Sequence, residues 1–178
     1  LKYLIPFITI LFLSIGCKKS NPKNSFGKIE VVLNGVNYER VVYCDRGEDS
    51  GVAWFKIHLV NEIPPTDNLK DELYIFGLLK LGKQIIYTKS GANAHELRAI
   101  ANFLTYKESG EMINDIYRVN DSSLFENRIE IVSEIDNFRE INGDFQIELV
   151  RSRKGEIETN LSDTLRFTQG HFNLKLGN

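Results

Sequence analysis

Apolar and polar side chains alternate with a period of two in run after run from residue 26 onward. Successive side chains of a strand point to opposite faces, so such a chain buries one face of a sheet and wets the other. Ile29, Val31 and Leu33 alternate with Lys28, Glu30 and Val32. Asn34-Gly35 follows and the pattern resumes from Tyr38 to Tyr43, which predicts a hairpin because both turn residues tolerate the positive φ of a type I′ turn. Ala53, Phe55, Ile57 and Leu59 form one apolar face with Lys56 and His58 on the other, and Pro64-Pro65 ends that run in a loop. Leu73 to Leu81 is almost wholly apolar, as expected of a central strand or of one covered on both faces. Gly82-Lys83 turns it into residues 84–88.

Ala92 to Arg98 carries helix-favouring residues and predicts a turn or two of helix. Strands are expected over 100–107, 112–119 and 128–134, with turns at Gly110 and at Asn142-Gly143 and a loop over 120–123. Phe145, Ile147 and Leu149 then alternate with Gln146, Glu148 and Val150. Leu165 and Phe167 lie in one phase, Phe172, Leu174 and Leu176 in the other. A flip at Gly170 is the mark of a β-bulge, where one extra residue exchanges the two faces. About nine or ten strands with little helix define an all-β chain, an antiparallel β-sandwich in the first place or else a barrel-like fold.

The first residues follow another rule. Lys2 supplies a positive flank, Tyr3 to Ile15 carries no charge, and Ser14-Ile15-Gly16-Cys17 closes the run. That is the layout of an export signal, and the apolar run falls short of the roughly 20 residues that span a bilayer. A small residue followed by Cys marks a lipoprotein signal: cleavage between Gly16 and Cys17 leaves Cys17 to carry the lipid. Such signals usually have Leu three residues before the Cys, where this chain has Ser14, with Leu13 one place further back. Two or three acyl chains, at about 0.8 kcal/mol per buried methylene, anchor a protein stably. The expected organisation is a signal over 1–17, a polar, basic tether over 18–25 and one β-rich domain over 26–178.

Cys17-Lys18-Lys19, Leu33-Asn34-Gly35, Asn142-Gly143-Asp144-Phe145 and Phe167-Thr168-Gln169-Gly170-His171-Phe172 together resemble a family of small uncharacterised lipoproteins of Bacteroidota. The resemblance implies an all-β fold and an envelope location, and carries no activity. Acidic residues after the lipidated Cys favour surface export in these bacteria; Lys18-Lys19 departs from that, so the expectation is the periplasmic face of the outer membrane.

With 22 Lys and Arg against 24 Asp and Glu the chain has no basic stripe for nucleic acid. Its densest basic cluster, Arg151, Arg153 and Lys154, reads as a solvated strand end or turn. Cys44 closes the β-like run Val41-Val42-Tyr43 and is expected to be a buried, inert thiol. His58, His95 and His171 are scattered and form no zinc-binding pair. Asp136-Asn137 with Asn142-Gly143-Asp144 offers oxygen ligands but no EF-hand spacing, and the carboxylate pairs Glu126/Glu130 and Asp71-Glu72 are of a kind that arises by chance. No catalytic residue, metal site or cofactor is expected. The one residue with a binding look is Trp54: in Trp54-Phe55 one ring must face away from the other, and an outward Trp is a stacking platform for a sugar or a partner's apolar patch. The chain therefore reads as a lipid-anchored, non-enzymatic binding or scaffold module. Its partner beyond the membrane is a protein, a glycan or a small molecule. The alternative is a lipocalin-like carrier with an apolar cargo inside a barrel.

Overall fold

The computed structural model describes residues 27–63, 68–88 and 98–176. The signal and tether, Pro64-Pro65, His95 and the predicted helical turn up to residue 97 lie outside the described residues.

The expected all-β class holds. Eleven strands, with no helix among the described residues, form one mostly antiparallel sheet. They are β1 (Gly27–Leu33), β2 (Val36–Asn37), β3 (Val41–Asp49), β4 (Val52–Ile63), β5 (Asn68–Leu78), β6 (Gly82–Tyr87), β7 (Ala99–Tyr106), β8 (Ile113–Val119), β9 (Arg128–Ile135), β10 (Glu140–Arg153) and β11 (Thr164–Lys175). The order is β2-β1-β11-β10-β9-β6-β7-β5-β4-β3, and β8 bridges β10 and β7. Strand β10 is long enough to serve two partners, pairing with β9 through Glu140–Gln146 and with β8 from Leu149 onward. Among the described strands only β6 and β7 run parallel.

The sheet curls around a single core. Phe55 on β4 meets Phe172 on β11 at 6.1 Å between ring centroids, and Phe103 on β7 meets Phe167 on β11 at 5.8 Å. Tyr38 caps this group edge-on to Phe167 at 5.5 Å and donates its hydroxyl to Asp71 at 2.7 Å. Every buried side-chain nitrogen and oxygen among the described residues has a hydrogen-bond partner, so this core carries no desolvation debt.

Two of the sequence signals are met closely. Asn34 and Gly35 have φ of 48° and 85° and join β1 to β2. The phase flip in β11 is a bulge: Phe145 pairs with Gly170 and Ile147 with Phe167, leaving Thr168 and Gln169 opposite one residue of β10. Leu165 and Phe167 face inward before the bulge, and Phe172, Leu174 and Leu176 after it.

Two expectations are corrected. Asn142-Gly143 is not a turn but lies inside β10. The β9–β10 turn is made earlier by Asp136, Asn137 and Phe138, all with positive φ. Gly143 is there for space, since a Cβ on it would stand 2.0 Å from the Glu130 carbonyl oxygen and 2.4 Å from the Phe172 ring. Arg151 is not solvated either. Its side chain is 8 % exposed, lies against Tyr117 and donates to the Tyr117 hydroxyl at 2.9 Å and the Leu161 carbonyl at 2.5 Å.

Candidate binding face

Alternation along β4 sends Phe55 into the core, fully buried, and Trp54 to the outer face of the sheet, where it is half-buried. Trp54 stands opposite Gly47 of β3, and the indole lies across that glycine: a Cβ there would be 2.3 Å from Cζ2 of the ring. Phe76 of β5 tilts against the indole at 5.8 Å, and the Lys56 ammonium sits over it at 4.6 Å from the centroid. Tyr74, Ile100, Glu48 and Asp49 complete a groove of about 460 Å³.

The strip continues down the same face. Tyr74 pairs across the ladder with His58, whose ring meets it edge-on at 5.0 Å. His58 Nδ1 is 2.5 Å from Glu72 Oε1, and the Tyr106 hydroxyl donates to Glu72 Oε2 at 2.9 Å. The His58 hydrogen bond pulls the Glu72 carboxyl below the usual carboxylate range; burial opposes this and Tyr106 reinforces it. Burial, followed by the hydrogen bond to Glu72 and its charge, pushes the Tyr106 phenol up. This trio ties β4, β5 and β7 together on the outer face and so braces the floor of the groove.

The other residues noted in the sequence are placed as follows. Asp71 and Glu72 diverge to opposite faces; Asp71 turns inward and accepts from Tyr38, from Arg40 Nε at 3.2 Å and from Asn61 at 2.8 Å. Glu126 and Glu130 are separated by Arg128, which reaches both, and Glu126 also takes Lys83 at 2.6 Å. Asp136 pairs with Arg139 at 3.3 Å while Asp144 pairs with His171, so the two acids are not brought together. Among the described residues no group of three or more His, Cys, Asp or Glu side chains could hold a metal ion. Cys44 is free and buried, its thiol donates to the Lys175 carbonyl at 3.7 Å, and burial with the Asp45 charge pushes it up to about 12. That is an inert thiol at neutral pH.

Two further grooves are internally satisfied. One lies over β1, β11 and β10 and is lined by the ion pairs Lys28–Glu30 and His171–Asp144. The other follows the seam between β1 and the start of β3, where Tyr38 and Arg40 are already committed to Asp71. Trp54 was legible in the sequence as a candidate; Gly47, Glu48, Asp49, Lys56, Tyr74, Phe76 and Ile100 were not, because only strand register brings β3, β5 and β7 beside it.

Comparison with family models, with curated proteins and with solved structures finds no match to this chain.

Proposed function

We propose that this is a lipid-anchored, non-enzymatic binding module of the cell envelope, held through Cys17 at the periplasmic face of the outer membrane and binding its partner on the Trp54 face. The observation that carries the reading is the half-buried indole of Trp54 on the outer face of the sheet, lying over Gly47 and against Phe76 in a groove that opens to solvent. An aromatic ring on the outer face of a sheet offers a ligand an apolar stacking surface. The anchor is supported by the sequence alone, through the charge-free run over 3–15 and the Gly16-Cys17 junction. The interior favours a surface binder over the lipocalin-like carrier, since Phe55, Phe103, Phe145, Phe167 and Tyr117 fill it as parts of one buried cluster.

Two measurements test this. Cys17→Ser abolishes palmitate labelling and cleavage of the signal, leaving the unprocessed precursor; continued labelling would put the anchor on another residue. Native mass spectrometry of the protein from its own envelope gives the same mass before and after solvent extraction. A discrete mass lost on extraction would instead support the carrier.

A further inference from the structure

We infer that the rim of the sheet around Leu81, Val132 and Ile135 rests on the bilayer at headgroup depth, an assignment that deepens the lipid-anchored reading and rests on it. Strand register builds this rim. Gly82 of β6 pairs with Ile131 of β9, which leaves Leu81 and Val132 abreast just beyond that pair, and Ile135 closes β9. All three are aliphatic and more than half exposed. Single exposed aliphatics are ordinary, but a run of neighbours at one rim marks a contact surface.

The point where the chain enters the sheet selects the occupant. Gly27 pairs with Leu174, Leu174 with Ile141 and Ile141 with Glu134, so one row of the sheet runs from the start of β1 to the neighbour of Ile135. Three strand spacings of roughly 4.8 Å make that row about 14 Å long. Residues 18–26 are all that separates Gly27 from Cys17, the proposed lipid carrier, and they span at most about 35 Å. The bilayer is therefore always within reach of this rim. Met112 and Ile157 are exposed as well, but at the far rim, where β7 turns into β8 and β10 gives way to the 154–163 loop. Ile141 and Arg153 are separated by about 40 Å of β10. Resting that far rim on the bilayer would hold residues 18–26 close to full extension.

Backbone and charge set the depth and the tilt. β9 runs past the start of β6, and Val132 to Ile135 have no ladder partner on that side among the described residues. Unpaired peptide groups are excluded from hydrocarbon. Water and phosphates of the headgroup layer satisfy them, while the aliphatic tips reach the acyl boundary. The acids of this rim are matched: Asp136 by Arg139 at 3.3 Å, Glu140 by Lys175 at 3.1 Å, and Glu134 by the Phe138 amide at 2.9 Å. Lys80, exposed beside Leu81, makes no ion pair among the described residues. Lys18, Lys19 and Lys23 fall within 18–26, where there is no acid. That surplus suits an anionic leaflet. Glu48 and Asp49 lie exposed by the β3–β4 turn, with β4 and β5 between them and β6, so an anionic surface tilts the domain toward β6 and β9.

The test places a polarity-sensitive nitrobenzoxadiazole dye on Leu81→Cys, Ile135→Cys, Ser50→Cys or Met112→Cys in the processed, lipidated protein. Cys44 is buried and stays unlabelled. Each protein is reconstituted into vesicles of phosphatidylethanolamine and phosphatidylglycerol. Emission from the Leu81→Cys and Ile135→Cys probes is expected to shift to the blue and to be quenched by a lipid carrying a nitroxide at its headgroup. The Ser50→Cys and Met112→Cys probes keep their aqueous emission, and adding Ile135→Glu to Leu81→Cys removes the shift. Aqueous emission from all four probes, in protein that floats with the vesicles, overturns the rim assignment and leaves the anchor standing. A shift from Met112→Cys alone overturns it in favour of the far rim. Protein that does not float with the vesicles overturns the anchor reading and the rim assignment together.

Discussion

Asp115 shows what a single residue contributes here. It is fully buried at the start of β8, where Thr105 of β7 faces both Asn114 and Asp115 across a bulge. Its carboxylate accepts from the Gly155 amide at 2.9 Å, Thr159 at 2.8 Å and Thr105 at 3.2 Å, which pins the 154–163 loop to the sheet. Burial alone would raise its pKa, but those donors and the Arg151 charge outweigh it and hold the carboxyl below the usual carboxylate range. A folded-state pKa below the unfolded one stabilises fully above the unfolded value and is lost as pH falls through the folded one. Urea titrations from pH 7 downward should therefore show stability falling below about pH 4, less steeply in Asp115→Asn. Asp115→Ala leaves three donors unpaired and should cost about 3 kcal/mol at pH 7. Cys44 gives a complementary readout. With its thiol near 12 it should resist alkylation at pH 8 in the folded protein and react at once in urea.

At the scale of elements, a repeated device sets the curvature of the sheet. Phe55 pairs across the ladder with Gly77, Phe145 with Gly170, Phe172 with Gly143 and Trp54 with Gly47, and in each pair the ring lies where the glycine's Cβ would be. A large ring over a glycine lets two strands approach and bend without a void, and it covers backbone that the glycine exposes. Three of these pairs line the core and the fourth lies on the outer face, so one packing rule operates on both sides of the sheet. Gly143→Ala tests it. The new methyl meets the Glu130 backbone and the Phe172 ring together, neither of which can move freely, and the variant should lose about 2 kcal/mol or more in denaturant unfolding. A loss below about 0.5 kcal/mol, the range of ordinary surface changes, would show that the ring has room to retreat.

The whole molecule depends on how the two ends of the sheet meet. The chain leaves β1 by the Asn34-Gly35 hairpin, and the Tyr38 amide donates back to the Val31 carbonyl at 2.9 Å. Tyr38 and Arg40, stacked at 3.8 Å, then reach Asp71 on β5, while Cys44 of β3 touches Lys175 of β11. These contacts are the clasp of the barrel-like curl, as the ladder runs from β1 round to β3 without pairing the two. Tyr38→Phe keeps the ring packing and removes one buried hydrogen bond, so global stability should fall by about 1 kcal/mol. Hydrogen exchange should accelerate first along β1 and β3. Uniform acceleration over all strands would mean that the seam has no separate opening.

The all-β class, the hairpin at Asn34-Gly35 and the bulge in β11 were legible because each is written locally. Side-chain phase is a two-residue property, and a phase flip leaves its mark wherever the strand later pairs. The fate of Asn142-Gly143 was not legible. The same dipeptide turns the chain at 34–35, yet at 142–143 it runs straight through β10, because residues 136–138 had already made the turn and Phe172 needed the space above Gly143. Asp71 and Glu72, adjacent in the chain, were parted by the pleat to a buried clasp and an outer brace. Trp54 could be named from sequence, but its neighbours Gly47, Phe76 and Ile100 depend on β3 and β5 flanking β4 and on β7 flanking β5. Alternation along one strand says which way a side chain points; only long-range register says what it meets there.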